Sequence, residues 1–453
     1  MGDSDVGLSR RELIRYGTAG AVTALTTGKG SRAESPEEFQ QAPLPMQVAT
    51  DRTPGDETQQ SPPSRFDMRD HLKPRRLTMA MWDVAYVLRH VPGGGFADYD
   101  RVLNEAVERG YNTLRIDPMP QWIDLSRPER LLDWPDPHLP FMPWFWNTKV
   151  SGPAGQWMIE FIEKLSRHNG LYYTMSGWWL GPGQSTTPSV GPPMLRDPAN
   201  MSEGAEMWAV LLNEWKKRFG FDRLLYVDVA NETPYFFPHI QERFRKVTGQ
   251  DFGVPSKFSP EQIEFLKNEI EPALASLRKD FPELRFTTSI HGDLRWLDVP
   301  LELDCLDVHF YSDADPRWME RTRFDEFTRD HLFETDQWFA EFSRRCAESA
   351  KAMAPMYRAR QRFKMEQFSD WGNRRGAPIT TSEGWASWFY IDDPKLDWSW
   401  LFHWAEWSVD DAIACGFWGW TPHNYAQPQF ANWKNVAWHR SINERFLHVE
   451  VHR

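Results

Sequence analysis

The amino-acid sequence predicts an α/β protein with the architecture of a (β/α)8 TIM barrel and long βα loops. Short apolar runs alternate with helical segments through most of the chain, which is the pattern of repeated βα units around a parallel sheet. The 453 residues give room for one barrel domain of ~250 residues or more. An open doubly wound sheet would need a Gly-rich phosphate turn directly after a strand, and Gly93-Gly94-Gly95 follows no strand.

Eight segments have the length and composition of buried strands. Each is a run of five to eight residues that is mainly apolar or β-branched. In chain order they are Leu77 to Asp83, Asn112 to Asp117, Leu171 to Ser176, Leu224 to Asn231, Arg285 to His291, Cys305 to His309, Ile379 to Glu383 and Gly416 to Trp420. Eight is the number of strands that closes a (β/α)8 barrel.

The segments between these strands have helical patterns. Asp98 can cap a helix whose apolar residues share one face, and Gly110 can end that helix in a left-handed turn. Further helices are predicted over Gln156 to Arg167, Met201 to Phe219, Pro260 to Phe281, Phe333 to Phe368 and Trp398 to Ala414. Residues 66–453 are therefore expected to form one barrel domain.

The N-terminal region has the order of an export signal. Arg10-Arg11 precede a weakly apolar run from Tyr16 to Leu25, and Ser31-Arg32-Ala33 supply small residues at a plausible cleavage point. Residues 1–33 thus predict a twin-arginine signal and a periplasmic, cell-surface or extracellular protein; a short amphipathic basic segment is the alternative. Residues 34–65 are rich in Pro, Gln, Glu, Ser and Thr without apolar periodicity, which predicts a disordered linker.

The composition excludes several classes of partner. A net charge of −12 argues against nucleic acid, and no stretch approaches the ~20 apolar residues of a stable membrane anchor. Cys305, Cys346 and Cys415 are too few for a disulfide framework and are interpreted as core thiols. The 24 Trp residues favour a carbohydrate ligand, because a flat apolar face with one N–H donor suits a sugar; core filling is the alternative. The oligomeric state is left open.

Polar residues end the predicted strands, at the edge where a barrel of this class carries its active site. They are, in chain order, Arg115 and Asp117, Asn231 and Glu232, His309 with Tyr311 just after it, and Glu383; strand eight ends in Trp418 and Trp420. Because alternate side chains of a barrel strand point inward, Arg115 and His309 are expected to face the barrel axis. The polar set should converge at one mouth.

Two carboxyl groups across such a mouth are what glycoside hydrolysis requires. One protonates the leaving oxygen, and the other attacks the anomeric carbon. We expect a raised pKa for Glu232 as the general acid/base, and an ionised Glu383 as the nucleophile beside Arg115 and Tyr311. Sugar-stacking platforms are expected at Trp178, Trp179, Trp385, Trp418 and Trp420.

No cofactor and no catalytic metal are predicted. The remaining histidines lack the paired spacing of metal ligands; they include His291, His403, His423 and His439.

The ordered set of strand-end residues resembles the clan A retaining glycoside hydrolases, and most of all their cellulase-like, sugar-binding barrels. The resemblance spans Leu77 to Trp420 and lies in an Arg ending strand two, Asn-Glu ending strand four, His-x-Tyr ending strand six, Glu ending strand seven and Trp ending strand eight. It implies that Glu232 is the acid/base, that Asn231 bonds the sugar 2-hydroxyl, and that Arg115 and Tyr311 hold the nucleophile Glu383.

Two departures separate the sequence from typical cellulases of this clan. Thr233 stands between the Asn-Glu pair and Pro234, and Ser176-Gly177-Trp178-Trp179 occupies the end of strand three, where a His is common. The substrate is therefore not assumed to be cellulose.

Structural alternatives accompany each site residue. Glu232 could be a surface residue before a proline, Glu383 a helix cap, Arg115 an ion-pair partner of Asp117, and His309 a core histidine. The predicted function is a retaining β-glycoside hydrolase acting on β-linked glycans or oligosaccharides. The alternatives are a non-catalytic sugar-binding barrel and a transglycosylase that uses the same two glutamates.

Overall fold

The computed structural model describes residues 74–136, 145–179, 192, 194–253, 256–311, 315–327, 337–385 and 390–449. The predicted export signal (1–33) and linker (34–65) lie outside the described residues. Among the helices that are described, none is long and apolar enough to cross a membrane.

Eight parallel strands build the barrel, and each coincides with one of the predicted segments. They are β1 (Leu77–Asp83), β2 (Thr113–Ile116), β3 (Tyr172–Ser176), β4 (Leu224–Asp228), β5 (Phe286–Thr287 with Ile290–His291), β6 (Leu306–His309), β7 (Ile379–Thr380) and β8 (Gly419–Trp420).

Strand pairing closes the sheet on itself. Each strand pairs in parallel with its neighbours in the sequence, and β8 pairs with β1 at Leu77 and Gly419. The sheet order begins with the first half of β5 and ends with its second half, so the two ends of the order belong to one stretch of chain. The fold is the predicted (β/α)8 barrel.

Helices alternate with these strands. They are α1 (Ala85–Leu88), α2 (Tyr99–Glu108), α3 (Ala154–Arg167), α4 (Met201–Phe219), α5 (Pro238–Thr248), α6 (Pro260–Asp280), α7 (Pro316–Thr322), α8 (Phe324–Glu326), α9 (Gln337–Arg375), α10 (Ser399–Ala414) and α11 (Val436–His448). The predicted signals of α2 are confirmed, because the Asp98 side chain accepts a hydrogen bond from the backbone N–H of Arg101, and Gly110 has a φ of 78°. A separate antiparallel pair joins Leu132–Trp134 to Val150–Gly152.

The barrel interior is apolar at one end and polar at the other. Leu77, Met79, Tyr226, Cys305 and Trp418 belong to one apolar cluster near the starts of their strands. Apolar side chains on the other faces of the strands pack against the helices, so strands such as β1 are buried along their whole length. The polar end is therefore the mouth that the strand-end residues share.

Two strands stop pairing earlier than predicted, and side chains explain one of these differences. Beyond β7, the backbone N–H of Ser382 donates to the side chain of Asp307 (2.9 Å) instead of to a neighbouring strand. Beyond β4, the backbone bonds continue irregularly, and Asn231 N–H donates to Gly177 O (2.9 Å). Both departures lie at the mouth.

Candidate active site

Arg115, on β2, is the charged centre of the mouth. Its side chain is fully buried, and Nη1 lies 2.6 Å from Glu383 Oε1 and 3.2 Å from Asp83 Oδ1. Nη2 donates to Asn231 Oδ1 (2.6 Å) and to Ser176 Oγ (2.9 Å). The guanidinium thus ties together the ends of β1, β2, β3, β4 and β7.

The alternative ion pair between Arg115 and Asp117 does not form. Asp117 instead accepts hydrogen bonds from the backbone N–H groups of Met119 (2.6 Å) and Trp178 (3.3 Å). Arg115 is left to face Glu383.

Glu383 follows β7 and has a polar partner at each carboxylate oxygen. Oε1 faces Arg115, and Oε2 accepts a hydrogen bond from the hydroxyl of Tyr311. That hydroxyl in turn accepts from Asn424 Nδ2 (2.8 Å), whose Oδ1 accepts from the backbone N–H of Gly384 (2.7 Å). These contacts fix the orientation of the carboxyl group.

Glu232 follows β4 in a left-handed backbone conformation, with a φ of 43°. Its backbone N–H donates to Ser289 Oγ (2.8 Å), and its Oε1 lies 2.8 Å from His309 Nδ1. Burial raises the pKa of Glu232 well above its ordinary value, and the nearby charge of Glu383 raises it further. The two glutamates therefore have different environments. Glu383 Oε1 lies 2.6 Å from the Arg115 cation, whereas Glu232 Oε1 has His309 Nδ1 as its partner, and that nitrogen lies farther from Glu383 Oε1 (3.6 Å).

The two carboxyl groups are close together. One oxygen of each, with one ring nitrogen of His309, lies within 4.8 Å of the others. This is the one group of three possible metal ligands found among the described residues. The guanidinium of Arg115 beside Glu383 disfavours a second cation at the same carboxylate.

Three further carboxyl groups are buried behind the glutamates. Burial raises the pKa of Asp83 to about 7 against the lowering effect of Arg115, and burial with the charge of Asp228 raises the pKa of Asp307 to about 7. Burial also raises the pKa of Asp228. The mouth therefore retains protons that exposed carboxyl groups would lose at neutral pH.

Asn231 and Trp178 follow their strands at the mouth, and each has a group that a ligand could contact. Asn231 Oδ1 accepts from Arg115, whereas its Nδ2 has no hydrogen-bond partner within the described parts of the chain. Trp178 follows β3, is 9% exposed, and contacts the ring of Phe236 with centroids 4.4 Å apart. Asn231 can therefore offer a donor to a bound molecule.

The structure does not bring the other four predicted tryptophans to the mouth. Trp179 is buried and donates to Val229 O (2.9 Å), and Trp385 stacks on Phe310 with centroids 5.4 Å apart. Trp420 stacks on Phe446 of α11.

Trp418 lies at the opposite end of the barrel, where its Nε1 donates to Pro74 O (2.9 Å), just before β1. Placing Trp418 and Trp420 at the mouth was wrong, because β8 contains only Gly419–Trp420 and Gly419 faces the interior. A Cβ at Gly419 would lie 2.1 Å from Thr380 Oγ1.

Sequence reasoning did not identify Asp83, Asp307, Ser382 or Asn424 as site residues. Asp83 ends β1 as Glu232 follows β4, so the strand-end rule could have found it. Ser382 immediately precedes Glu383. Asn424 lies in a loop four residues beyond β8, and no local pattern in the sequence marks it.

Comparison with known proteins identifies the family. A family model described as sugar-binding cellulase-like matches residues 79–447. The chain belongs to this cellulase-like family. A search of curated proteins gave no match.

Several solved structures are similar to this chain. A structure from Parabacteroides distasonis, provisionally named a glycoside hydrolase, has a TM-score of 0.67 at 21% identity and covers 82% of this chain and 93% of its own. An endocellulase from Pyrococcus horikoshii in complex with cellotetraose has a TM-score of 0.43 at 11% identity and covers 82% and 92%. An endoglucanase from Thermotoga maritima has a TM-score of 0.42 at 13% identity and covers 82% and 96%. The first likeness shows that this cellulase-like protein has the fold of a glycoside hydrolase barrel.

Proposed function

We propose that this cellulase-like protein is a retaining β-glycoside hydrolase that acts on β-linked glycans or oligosaccharides. Glu383 attacks the anomeric carbon and forms a glycosyl-enzyme, while Glu232 protonates the leaving oxygen. Glu232 then removes a proton from the water that attacks the intermediate.

The observation that carries the proposal is the pair of carboxyl oxygens within 4.8 Å of each other in different environments. Retaining enzymes separate their two carboxyl groups by ~5 to 5.5 Å, whereas inverting enzymes leave ~6.5 to 9.5 Å for a water molecule. The ion pair and hydroxyl at Glu383 suit a nucleophile that must stay ionised. The raised pKa of Glu232 suits a general acid.

Asn231 and Trp178 are the proposed sugar contacts. The Nδ2 group of Asn231 is buried without a partner in the described residues, so a substrate 2-hydroxyl would satisfy a donor that otherwise costs free energy. The ring of Trp178 offers an apolar face beside the mouth.

Glutamine variants test the two roles. We expect Glu232→Gln and Glu383→Gln each to lower turnover by about 10² to 10⁴-fold on whichever aryl β-glycoside of a panel the protein cleaves, because each removes a group that acts in the transition state. Glu269→Gln is the matched control, since Glu269 is also buried but pairs with Arg243 on the outside of the barrel. Retained activity in either mouth variant would contradict the assignment. Sugar binding without turnover across the panel would favour a non-catalytic barrel, and product analysis separates hydrolysis from transglycosylation.

Azide distinguishes the two glutamates from each other. In Glu232→Ala, azide attacks the glycosyl-enzyme and should give a β-glycosyl azide. In Glu383→Ala, azide takes the place of the nucleophile and should give an α-glycosyl azide. The reverse pattern would exchange the two roles.

We also propose that the protein is exported by the twin-arginine route and works in the periplasm, at the cell surface or outside the cell. The proposal rests on the sequence of residues 1–33. Replacing Arg10 and Arg11 together by Lys should retain the protein in the cytoplasm when fractions are compared, and unchanged export would contradict it.

A further inference from the structure

A continuous set of hydrogen bonds links Glu232 to a buried aspartate two strands away. Glu232 Oε1 lies 2.8 Å from His309 Nδ1, and His309 Nε2 lies 3.2 Å from Ser382 Oγ. Ser382 Oγ donates to Asp307 Oδ2 (2.7 Å), which also accepts from the hydroxyl of Tyr226 (2.9 Å). All five residues are buried.

The hydroxyl of Ser382 sets the direction of these bonds. A serine has one O–H, and that of Ser382 is given to Asp307, so its oxygen can only accept from His309. Nε2 of His309 must then carry a hydrogen. Burial, with the charges of Arg115 and His291, lowers the pKa of His309 well below its ordinary value, so the ring carries one proton and its Nδ1 is an acceptor.

We propose that Ser382 and Asp307 are positioning residues that hold the proton of His309 on Nε2, so that Nδ1 accepts a hydrogen bond from Glu232 and keeps this acid protonated. The inference rests on the proposed function, because it explains how the proposed general acid keeps its proton. Neither residue touches the reacting atoms.

The opposite arrangement contains the same number of protons but places the negative charge less favourably. In it, Glu232 gives its proton to Nδ1, Nε2 gives one to Ser382, and Ser382 gives one to Asp307. The charge then moves to Glu232, within 4.8 Å of Glu383. Above its pKa of about 7, Asp307 is ionised, and its charge then accepts three hydrogen bonds, from the Tyr226 hydroxyl and from the hydroxyl and backbone N–H of Ser382.

Charged and titratable groups from four strands face the hydrogen-bonded chain of Glu232, His309, Ser382 and Asp307. They are Arg115 from β2, Asp228 from β4, His291 from β5, and Glu383 from the end of β7. Arg115 is the permanent cation among these groups, and it forms ion pairs with Glu383 and Asp83. The proton of Glu232 therefore depends on hydrogen-bond direction as well as on charge.

The tautomer of His309 can be measured without any substrate. In protein labelled with nitrogen-15 histidine, we expect a protonated Nε2 and an unprotonated Nδ1 for His309 at about pH 8, above the pKa of about 7 of Asp307, with its signals identified by their loss in His309→Gln. Ser382→Ala should produce a mixture of tautomers, and Ser382→Thr should restore the single one because it keeps the hydroxyl. Ser369→Ala is the matched control, since Ser369 is a buried serine that donates to Cys415 O (2.6 Å) on α10's side of the barrel. A protonated Nδ1 in the unmodified protein, or the same tautomer in Ser382→Ala as in Ser369→Ala, would overturn the proposal.

Kinetics on aryl β-glycosides give a second measurement. Ser382→Ala should lower kcat/KM by about tenfold for a poor leaving group such as phenol, and by less than about twofold for dinitrophenol, which leaves without an acid. The basic limb of its pH profile should move to lower pH, because an Nδ1–H would stabilise ionised Glu232. Equal losses for both leaving groups would indicate a merely structural role and would overturn the proposal. If His309 has the expected tautomer but the protein cleaves no glycoside, the proposed function is refuted, whereas the positioning role of Ser382 and Asp307 is retained.

Discussion

Replacing Arg115 by Met should destabilise the barrel strongly. Met has a similar length but no charge, and the change removes ion pairs to Glu383 and Asp83 together with hydrogen bonds to Ser176 and Asn231. Breaking a buried ion pair by removing one partner costs about 3–5 kcal/mol. We expect a loss of about 5 kcal/mol in the free energy of unfolding at pH 8, the upper end of that range, because two buried carboxyl groups lose their cation and two further groups lose a hydrogen-bond donor.

The loss should be smaller at low pH, and the sign follows from the carboxyl groups. The folded pKa of Asp83 is about 7, above the ordinary value of 3.8, so the folded state holds its proton more tightly than the unfolded state. Stability from such a group is present below about pH 4 and is lost as the pH rises towards 7. Without Arg115 this pKa rises further. We expect the penalty at pH 5 to be smaller by about 1.4 kcal/mol, because the stability that Asp83 loses between pH 5 and pH 8 can grow by at most about one pKa unit.

Urea unfolding followed by tryptophan fluorescence at pH 5 and pH 8 measures both quantities. Arg115→Lys is the control, because it keeps the positive charge but loses the planar N–H groups of the guanidinium. Its loss of unfolding free energy should be less than half that of Arg115→Met. A loss below about 1 kcal/mol at pH 8 would refute this view of Arg115, as would equal losses at the two pH values.

Four further predictions concern single side chains. Tyr311→Phe should lower kcat/KM by about 10² to 10³-fold, because it removes a donor to Glu383, and steady-state kinetics with a loss below about threefold would contradict this role. Asn231→Ala should lower kcat/KM by about 10²-fold for a parent glycoside and much less for its 2-deoxy analogue, and equal losses would exclude the 2-hydroxyl contact. Trp178→Ala should raise KM whereas Trp420→Phe should leave it unchanged, and an unchanged KM in Trp178→Ala would remove it from the sugar contacts. Asp83→Asn should flatten the fall in unfolding free energy between about pH 4 and 7. If denaturant titrations at several pH values give an unchanged dependence of this free energy on pH, a group other than Asp83 holds the proton.

The fold was predictable because its signals are local. Apolar runs of strand length, the cap at Asp98 and the turn at Gly110 each depend on neighbouring residues, and all lie where the pattern predicts. The long helix α9 was predicted over Phe333 to Phe368 but continues to Arg375, since its last turns pack under the start of β7, where Gly372 lies against Ala377.

The candidate site was predictable as far as strand ends determine it. Arg115 and Tyr311 lie against Glu383 because their strands converge at one edge. The hydrogen bonds between Ser382 and Asp307 depend on the register of β6 against β7, which pairs Thr380 with Asp307. The sequence of neither strand predicts this register. Gly419 carried an overlooked signal, because a glycine inside a short strand often marks a close approach, and here it turns Trp420 towards the helices.

The central claim is that Glu383 forms a covalent bond to the sugar. The most direct measurement is incubation with a panel of 2-fluoro glycosides, followed by intact-mass measurement and peptide mapping. We predict one added glycosyl mass on Glu383, and a first-formed β-anomer when the matching β-glycoside is hydrolysed in an NMR tube. An adduct on another residue, or a first-formed α-anomer, would contradict the claim.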